Sequence, residues 1–366
     1  MSDKKSISDI ESLYSKHKIR KVNVNIKFYI LIILFIFMFF ASFSVGRYHV
    51  PIKNVIEIIY TKLKHLIGFT ESAQIYSDEM ALQMQIVVLN VRLPRIIAAV
   101  LIGGALCVAG SVYQGMFNNP MVSPDILGTS SGACFGAAIA ILYNMTGMTV
   151  SLFAFIFGLV ATFVTIFTSS RFRGNQILGL VLSGIVVGSL FTAGTSFIKL
   201  VADSSEQLPA ITYWLLGSLS GIKNSDLVLI TPIVLLGFIL LMCFSWRLNI
   251  ITLGDDDAYT LGVNAKLYRI IAILITTLMI SSCVAVSGMI GWIGLIIPNL
   301  SRRIFGSDFK KLIPASFIFG GAFMLLTDNI SRALLTSEIP IGILTAFIGT
   351  PFFLFILVRG TSKMNS

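Results

Sequence analysis

Apolar residues fall in long blocks along this chain, and short polar stretches separate them. The blocks cover 28–46, 93–117, 126–145, 149–169, 177–199, 225–246, 268–288, 290–304, 312–329 and 341–358. A helix needs about 20 apolar residues to cross the hydrocarbon core of a bilayer, so the pattern predicts an all-α polytopic membrane protein with ten transmembrane helices. The division near 288–291 is the faintest, because Gly288, Gly291 and Gly294 punctuate an almost continuous apolar stretch. Between the first two blocks the pattern changes. Ile52, Val55, Ile56, Ile59, Leu63, Leu66 and Ile67 recur at helical spacing, with Lys53, Glu57, Lys62 and Lys64 between them. That predicts an amphipathic helix lying on the outer surface.

Composition sharpens this picture by exclusion. Of 366 residues, 55% are apolar and only 12% charged, where soluble proteins carry about 25% charged residues. A soluble globular chain, a disordered chain, a collagen-like repeat and a disulfide scaffold are all excluded. The first apolar block exceeds the roughly 7–15 residues of a secretory signal, so it is read as an uncleaved span entering from the cytoplasm. Ten spans then place both termini in the cytoplasm. On that topology 18 of the 27 Lys and Arg residues lie inside, seven of them in the polar extension 1–27. The net charge of +10 is therefore a positive-inside signal rather than a nucleic-acid-binding surface.

Chemistry-bearing residues are sparse. Cys107, Cys134, Cys243 and Cys283 lie in apolar runs without C-x-x-C spacing, and His17, His49 and His65 stand alone. They predict no catalytic residue, no metal site and no cofactor bound by this chain. No span carries an acidic residue near its centre. Asp125 sits at the mouth of the third span, and Asp328 at the outer end of the ninth, four residues before Arg332. This disfavours an ion-coupled secondary transporter, which uses ionisable groups at membrane depth. Gly103, Cys107, Ser111 and Gly115 recur every fourth residue, as do Gly128, Gly132 and Gly136. Such stripes predict close helix packing.

Three connecting segments are patterned. Arg92-Leu-Pro-Arg95 opens the second span on the outer side, against the charge trend, which fits either a partner or lipid phosphates. Gln114 to Gly128 holds Asn118, Asn119, Pro120 and Pro124 in a tight cytoplasmic turn. Leu253-Gly-Asp-Asp-Asp-Ala-Tyr-Thr-Leu-Gly262 places three acids where a helix begins and a glycine where it ends, which predicts a short exposed helix suited to docking. The chain contains no G-x-x-x-x-G-K-[ST] and no Gly-Lys pair, so it has no Walker loop for ATP.

With R-L-P-R at 92–95, Q-G-x-x-x-N-P at 114–120, L-G-x-x-x-A-x-x-L-G at 253–262, G-x-I-G-L-I-I-P-x-x-x-R at 291–302 and E-I-P-I-G-I-L-T-A-x-I-G-x-P-F-F at 338–353, the chain resembles the FecCD family. These are permease subunits of ATP-binding-cassette importers for iron-siderophores, haem and vitamin B12. The resemblance covers about residues 28–360 and departs at Pro298-Asn299, where the family often has Pro-His. It implies a ten-helix permease domain with two inverted repeats, helices 2–5 and 7–10, followed by a tail at 361–366. It also implies a homodimer with the path along its axis, in the cytoplasmic (inner) membrane of a bacterium or archaeon.

Partners follow from the same resemblance: a second copy, two ATP-binding subunits, an external substrate-binding protein and membrane lipid. Within the segment 247–266, Leu253, Gly254, Asp255, Asp256, Asp257, Ala258, Leu261 and Gly262 would couple to the ATPase. Arg92, Arg95 and Arg332 would receive acidic side chains of the binding protein, and Asn119, Pro120 and Met121 would narrow the cytoplasmic exit. The implied cargo is a ferric-siderophore-type metal chelate, with haem or cobalamin as the alternative.

Overall fold

The computed structural model describes residues 25–46, 48, 50–66, 79–335 and 337–362. Most of the extension 1–27 and of the tail 361–366 lies outside the described residues, as does Ile67 of the expected amphipathic face. Among the described residues the secondary structure is entirely helical. Seven helical runs are long and apolar enough to cross a membrane. They are α1 (Asn25–Ser44), the run Leu82–Met116, α6 (Met148–Ser170), α7 (Gln176–Val201), α9 (Asn224–Cys243), α12 (Ala265–Ser287) and α14 (Phe309–Ala333). The run Leu82–Met116 joins α3 (Glu79–Ile86) to α4 (Leu93–Met116) through a π-helical turn at Val87–Arg92. The other three predicted blocks form two shorter helices, α5 (Thr129–Leu142) and α13 (Ile293–Phe305), and the C-terminal helix α15 (Ile341–Ser362).

α4 is the centre of the bundle. It is buried along almost its whole length and packs against α14, α13, α12 and α9. Small residues along it, those of the stripe and Gly110, make this possible. A Cβ on Gly103 would stand 2.4 Å from the Gly320 carbonyl oxygen, and one on Gly110 would stand 1.8 Å from that of Gly294. Further down the stripe, the Ser111 and Ser316 hydroxyls hydrogen-bond at 2.8 Å, and Gly115 receives the Phe309 ring. With apolar lipid outside, van der Waals contact between backbones holds such an interface. The same device recurs where Gly132 and Gly136 of α5 meet the α6 backbone at Phe157 and Phe153.

The faint division near 288–291 is a real break. α12 ends at Ser287, Gly288 takes φ +69°, and α13 begins only after Trp292 at φ +67°. A Cβ at Gly288 would meet the Trp214 carbonyl oxygen at 2.2 Å. Trp214 belongs to α8 (Gln207–Leu215), a short helix between α7 and α9.

The amphipathic helix α2 (Ile52–Leu66) forms where the spacing places it, but its buried face is rotated. Val55 and Ile58 are buried, whereas Ile52 and Ile56 are exposed. The inward face follows the contact with the α3 side, where Asn54 reaches Met84, so Ile58 replaces Ile52 and Ile56.

Candidate functional site

After α9 the chain makes a short helix, α10 (Ser245–Ile251), turns at Leu253-Gly254, and forms α11 (Asp255–Thr260) before entering α12. The local physics explains α11. Asp255, Asp256 and Asp257 fill its first turn, where the helix dipole favours negative charge. At its end Gly262 adopts φ +75°, the Gly262 N–H donates to the Tyr259 carbonyl, and the Val263 N–H donates to the Ala258 carbonyl at 2.8 Å. That is the two-bond glycine cap that satisfies terminal carbonyls.

The predicted coupling residues divide into two groups. Leu253, Asp256, Asp257, Leu261 and Gly262 face outward, and Tyr259, which the sequence reading left out, is 82% exposed. Ala258 is fully buried in a small cluster with Ile250, Ile251, Val263 and Ala265. It is the pin that holds α11 to its base, and its assignment to a docking face is corrected accordingly. Gly254 takes φ +117° with open space around it, so its glycine serves the turn. Asp255, although exposed itself, pairs with the buried Arg269 guanidinium at 2.7 Å. A further anchor was not visible in the sequence. Asn249 of α10 donates to the Asp308 carboxylate at 2.7 Å and accepts from the Phe309 N–H at 2.9 Å, tying this segment to the start of α14.

The turn between α4 and α5 lies beside it. Asn118, Asn119, Pro120 and Met121 are all exposed. Three side chains hold the turn in shape. The Asn118 amide donates to the Thr252 carbonyl at 3.2 Å, Gln114 donates to the carbonyls of Val122 and Leu295, and Asn299 donates to the Pro120 carbonyl at 2.8 Å. Asn299 stands where the resembling family often carries histidine, and here its amide clamps the turn to α13. Beyond the turn, a 3₁₀ helix at Pro124–Leu127 leads to Gly128 in the left-handed conformation. Gly128 lies against Gly184 and Gly188 of α7.

The three arginines are not a free basic surface. Arg92 and Arg95 are each 4% exposed and Arg332 is 6% exposed. Arg95 donates to Asp328 at 2.8 Å and reaches Glu338 at 2.9–3.0 Å. Arg332 pairs with Asp328 at 3.0 Å, the local i,i+4 pair its spacing allowed. Its Nη groups donate to the carbonyls of Ser42 and Val45, and Arg92 donates to those of Phe43 and Tyr48. Those carbonyls lie at and just past the C-terminal end of α1. Its last carbonyls have no helical partner, and its dipole attracts cations. The expectation of exposed guanidinium groups is therefore corrected: they close the end of α1 and join it to α4 and α14.

A bundle of long apolar helices around one almost wholly buried helix defines a polytopic membrane protein. Residues 33–359 match the FecCD transport family, and the chain belongs to that family. It is 37% identical over 325 residues to the molybdate import system permease protein MolB of Haemophilus influenzae, covering 88% of this chain and 92% of that protein. It is 36% identical over 279 residues to the hemin transport system permease protein HmuU of Yersinia pestis, covering 74% and 83%. A solved structure described as an inward-facing conformation of a metal-chelate type ABC transporter superposes with a TM-score of 0.79 at 33% identity, covering 90% of this chain and 98% of that one.

Proposed function

We propose that this chain is the membrane permease of an ATP-driven importer that passes a ferric-siderophore-type metal chelate from an external binding protein to the cytoplasm. The observation that carries the reading is α11: a capped, acidic, outward-facing helix pinned by Ala258 in a chain that matches an importer permease family over most of its length. With no Walker loop in the sequence, two separate ATP-binding subunits supply the energy, and Leu253, Asp256, Asp257, Tyr259 and Leu261 contact them. The functional unit is a homodimer in the cytoplasmic membrane. Each subunit carries ten spans in two inverted repeats over 28–360 and has both termini inside. Asn119, Pro120 and Met121 line the cytoplasmic exit, while Arg92, Arg95 and Arg332 shape the outer face that receives the binding protein without contributing free charge.

The cargo assignment rests on resemblance, since the relatives differ: molybdate for MolB and hemin for HmuU. The alternative cargo is haem or cobalamin. An ion-coupled mechanism is disfavoured because Asp328, fully buried, is already matched by two arginines. The cargo test is mass spectrometry of the ligand that copurifies with the cognate external binding protein. A ferric siderophore is expected, and haem, cobalamin or molybdate would replace the cargo assignment while leaving the permease reading intact.

A further inference from the structure

Among the described residues Arg269 is the largest fully buried side chain, with 1% exposure, and it lies in the first two turns of α12. Its guanidinium is shared between two other elements. Nη2 donates to Asp255 Oδ1 at 2.7 Å, at the start of α11, and Nη1 donates to Gln176 Oε1 at 3.2 Å, at the start of α7. Its third donor, Nε, is buried and has no partner among the described residues. A cavity of about 440 Å³ adjoins the group, lined by Met116, Asn118, Asn175, Gln176, Gly254 and Asp255. One charged side chain thus spans the exposed helix, the base of α12 and the beginning of α7, with room beside it to move.

We propose that Arg269 is the positioning residue that carries displacement of α11 to α7. The physical reason is the cost of leaving a guanidinium buried without its counter-charge. When α11 shifts, Asp255 shifts with it, and Arg269 must follow into the cavity rather than stay behind unpaired. The hydrogen bond to Gln176 then takes the start of α7 along. The turn at Asn118 joins the same movement through its bond to the Thr252 carbonyl. An arginine suits this place because its planar fork serves two partners at once, which an ammonium group does not do in one fixed geometry. The proposal rests on the importer reading, in which α11 is the element the ATPase moves.

The test uses the complete complex of permease and ATPase subunits in lipid nanodiscs, with spin labels replacing the exposed Thr260 of α11 and Leu178 of α7. The 260–178 distance is measured without nucleotide and with ATP plus vanadate, and ATP hydrolysis is followed in parallel. In the parent complex one distance is expected in both states, because α11 and α7 move together. Arg269→Met should keep at least half the hydrolysis rate while the distance shifts or splits by more than about 5 Å, one helical turn. Gln176→Met leaves the ion pair in place and cuts only the link to α7, so it should produce the same split if Arg269→Met does not fold. Arg269→Lys should restore the single distance in only part of the population. A single unchanged distance in Gln176→Met, or a nucleotide-dependent distance in the parent, overturns the proposal. A parent complex that hydrolyses ATP but contacts its ATPase away from α11 overturns the importer geometry as well, and cross-linking from residue 256 separates that result from a failure of Arg269 alone.

Discussion

Arg95 and Asp328 stand 233 residues apart in sequence and 2.8 Å apart in space, and both are buried where α4 meets α14. Asp328 faces a second cation as well, Arg332 on its own helix. Removing the carboxylate therefore takes the counter-charge from Arg332 and leaves Arg95 with Glu338 alone, whereas removing either arginine leaves the carboxylate with one partner. Asp328→Ala should lower the melting temperature of the detergent-solubilised protein more than Arg332→Ala does. Breaking a buried pair costs about 3–5 kcal/mol. A melting temperature for Asp328→Ala equal to the parent's would show that this cluster does not hold α4 and α14 together.

The backbone contact between α4 and α13 leaves no space for a side chain. Gly110→Leu should cost at least the roughly 1–3 kcal/mol of an overpacked core, because a Cβ there would stand 1.8 Å from the Gly294 carbonyl oxygen. Gly221→Ala meets nothing within 4 Å and serves as the control. Folded yield on size-exclusion chromatography is the readout, and the control should match the parent chain.

Substitutions in α11 should separate by direction. Tyr259→Ala and Asp256→Lys face outward, so they should weaken association with the ATPase subunit while leaving the melting temperature of the permease within about 1–2 °C of the parent, as surface changes do. Ala258→Leu intrudes on the cluster of Ile250, Ile251, Val263 and Ala265 and should lower the melting temperature before any partner is added. Pull-down and thermal unfolding, measured on the same preparations, distinguish the two effects.

The turn between α4 and α5 offers another test. In the proposed homodimer, Asn119→Cys should form a disulfide with its symmetry mate in the closed state and block transport, which requires a Cα–Cα separation below about 7 Å. Asn299→Ala removes the donor to the Pro120 carbonyl and should reduce that cross-linking several-fold, since the turn loses its clamp to α13. Cross-linking that is absent in every nucleotide state would remove Asn119 from the exit.

Much of the fold was legible because the bilayer imposes a simple rule on length and polarity. Each of the ten apolar blocks overlaps a helix, seven of them in runs long and apolar enough to cross a membrane, and Gly103 of the α4 stripe packs against a partner backbone. The helix at 255–260 was legible for local reasons, three acids and a capping glycine. What escaped was anything set by distant partners. Arg92 and Arg95 read as exposed because sequence shows no counter-charge near them; their partners are Asp328, Glu338 and the carbonyls ending α1. Ala258 looked like part of an exposed helix, yet a six-residue helix still has an inner side. Asn249 and Arg269 gave no local signal, and Asn299 stood out only as a departure from the family pattern, since each acts by bridging segments far apart in the chain.

On the proposed reading, ATP hydrolysed by a separate subunit drives import through this chain. The deciding measurement is transport into proteoliposomes holding the permease, its ATPase and the binding protein loaded with its native cargo, with ATP inside. Uptake should require ATP, fall to background with an ATPase subunit unable to hydrolyse it, and persist when an uncoupler abolishes the proton gradient. Uptake that continues without ATP and stops with the uncoupler would contradict the claim and make the protein an ion-coupled transporter.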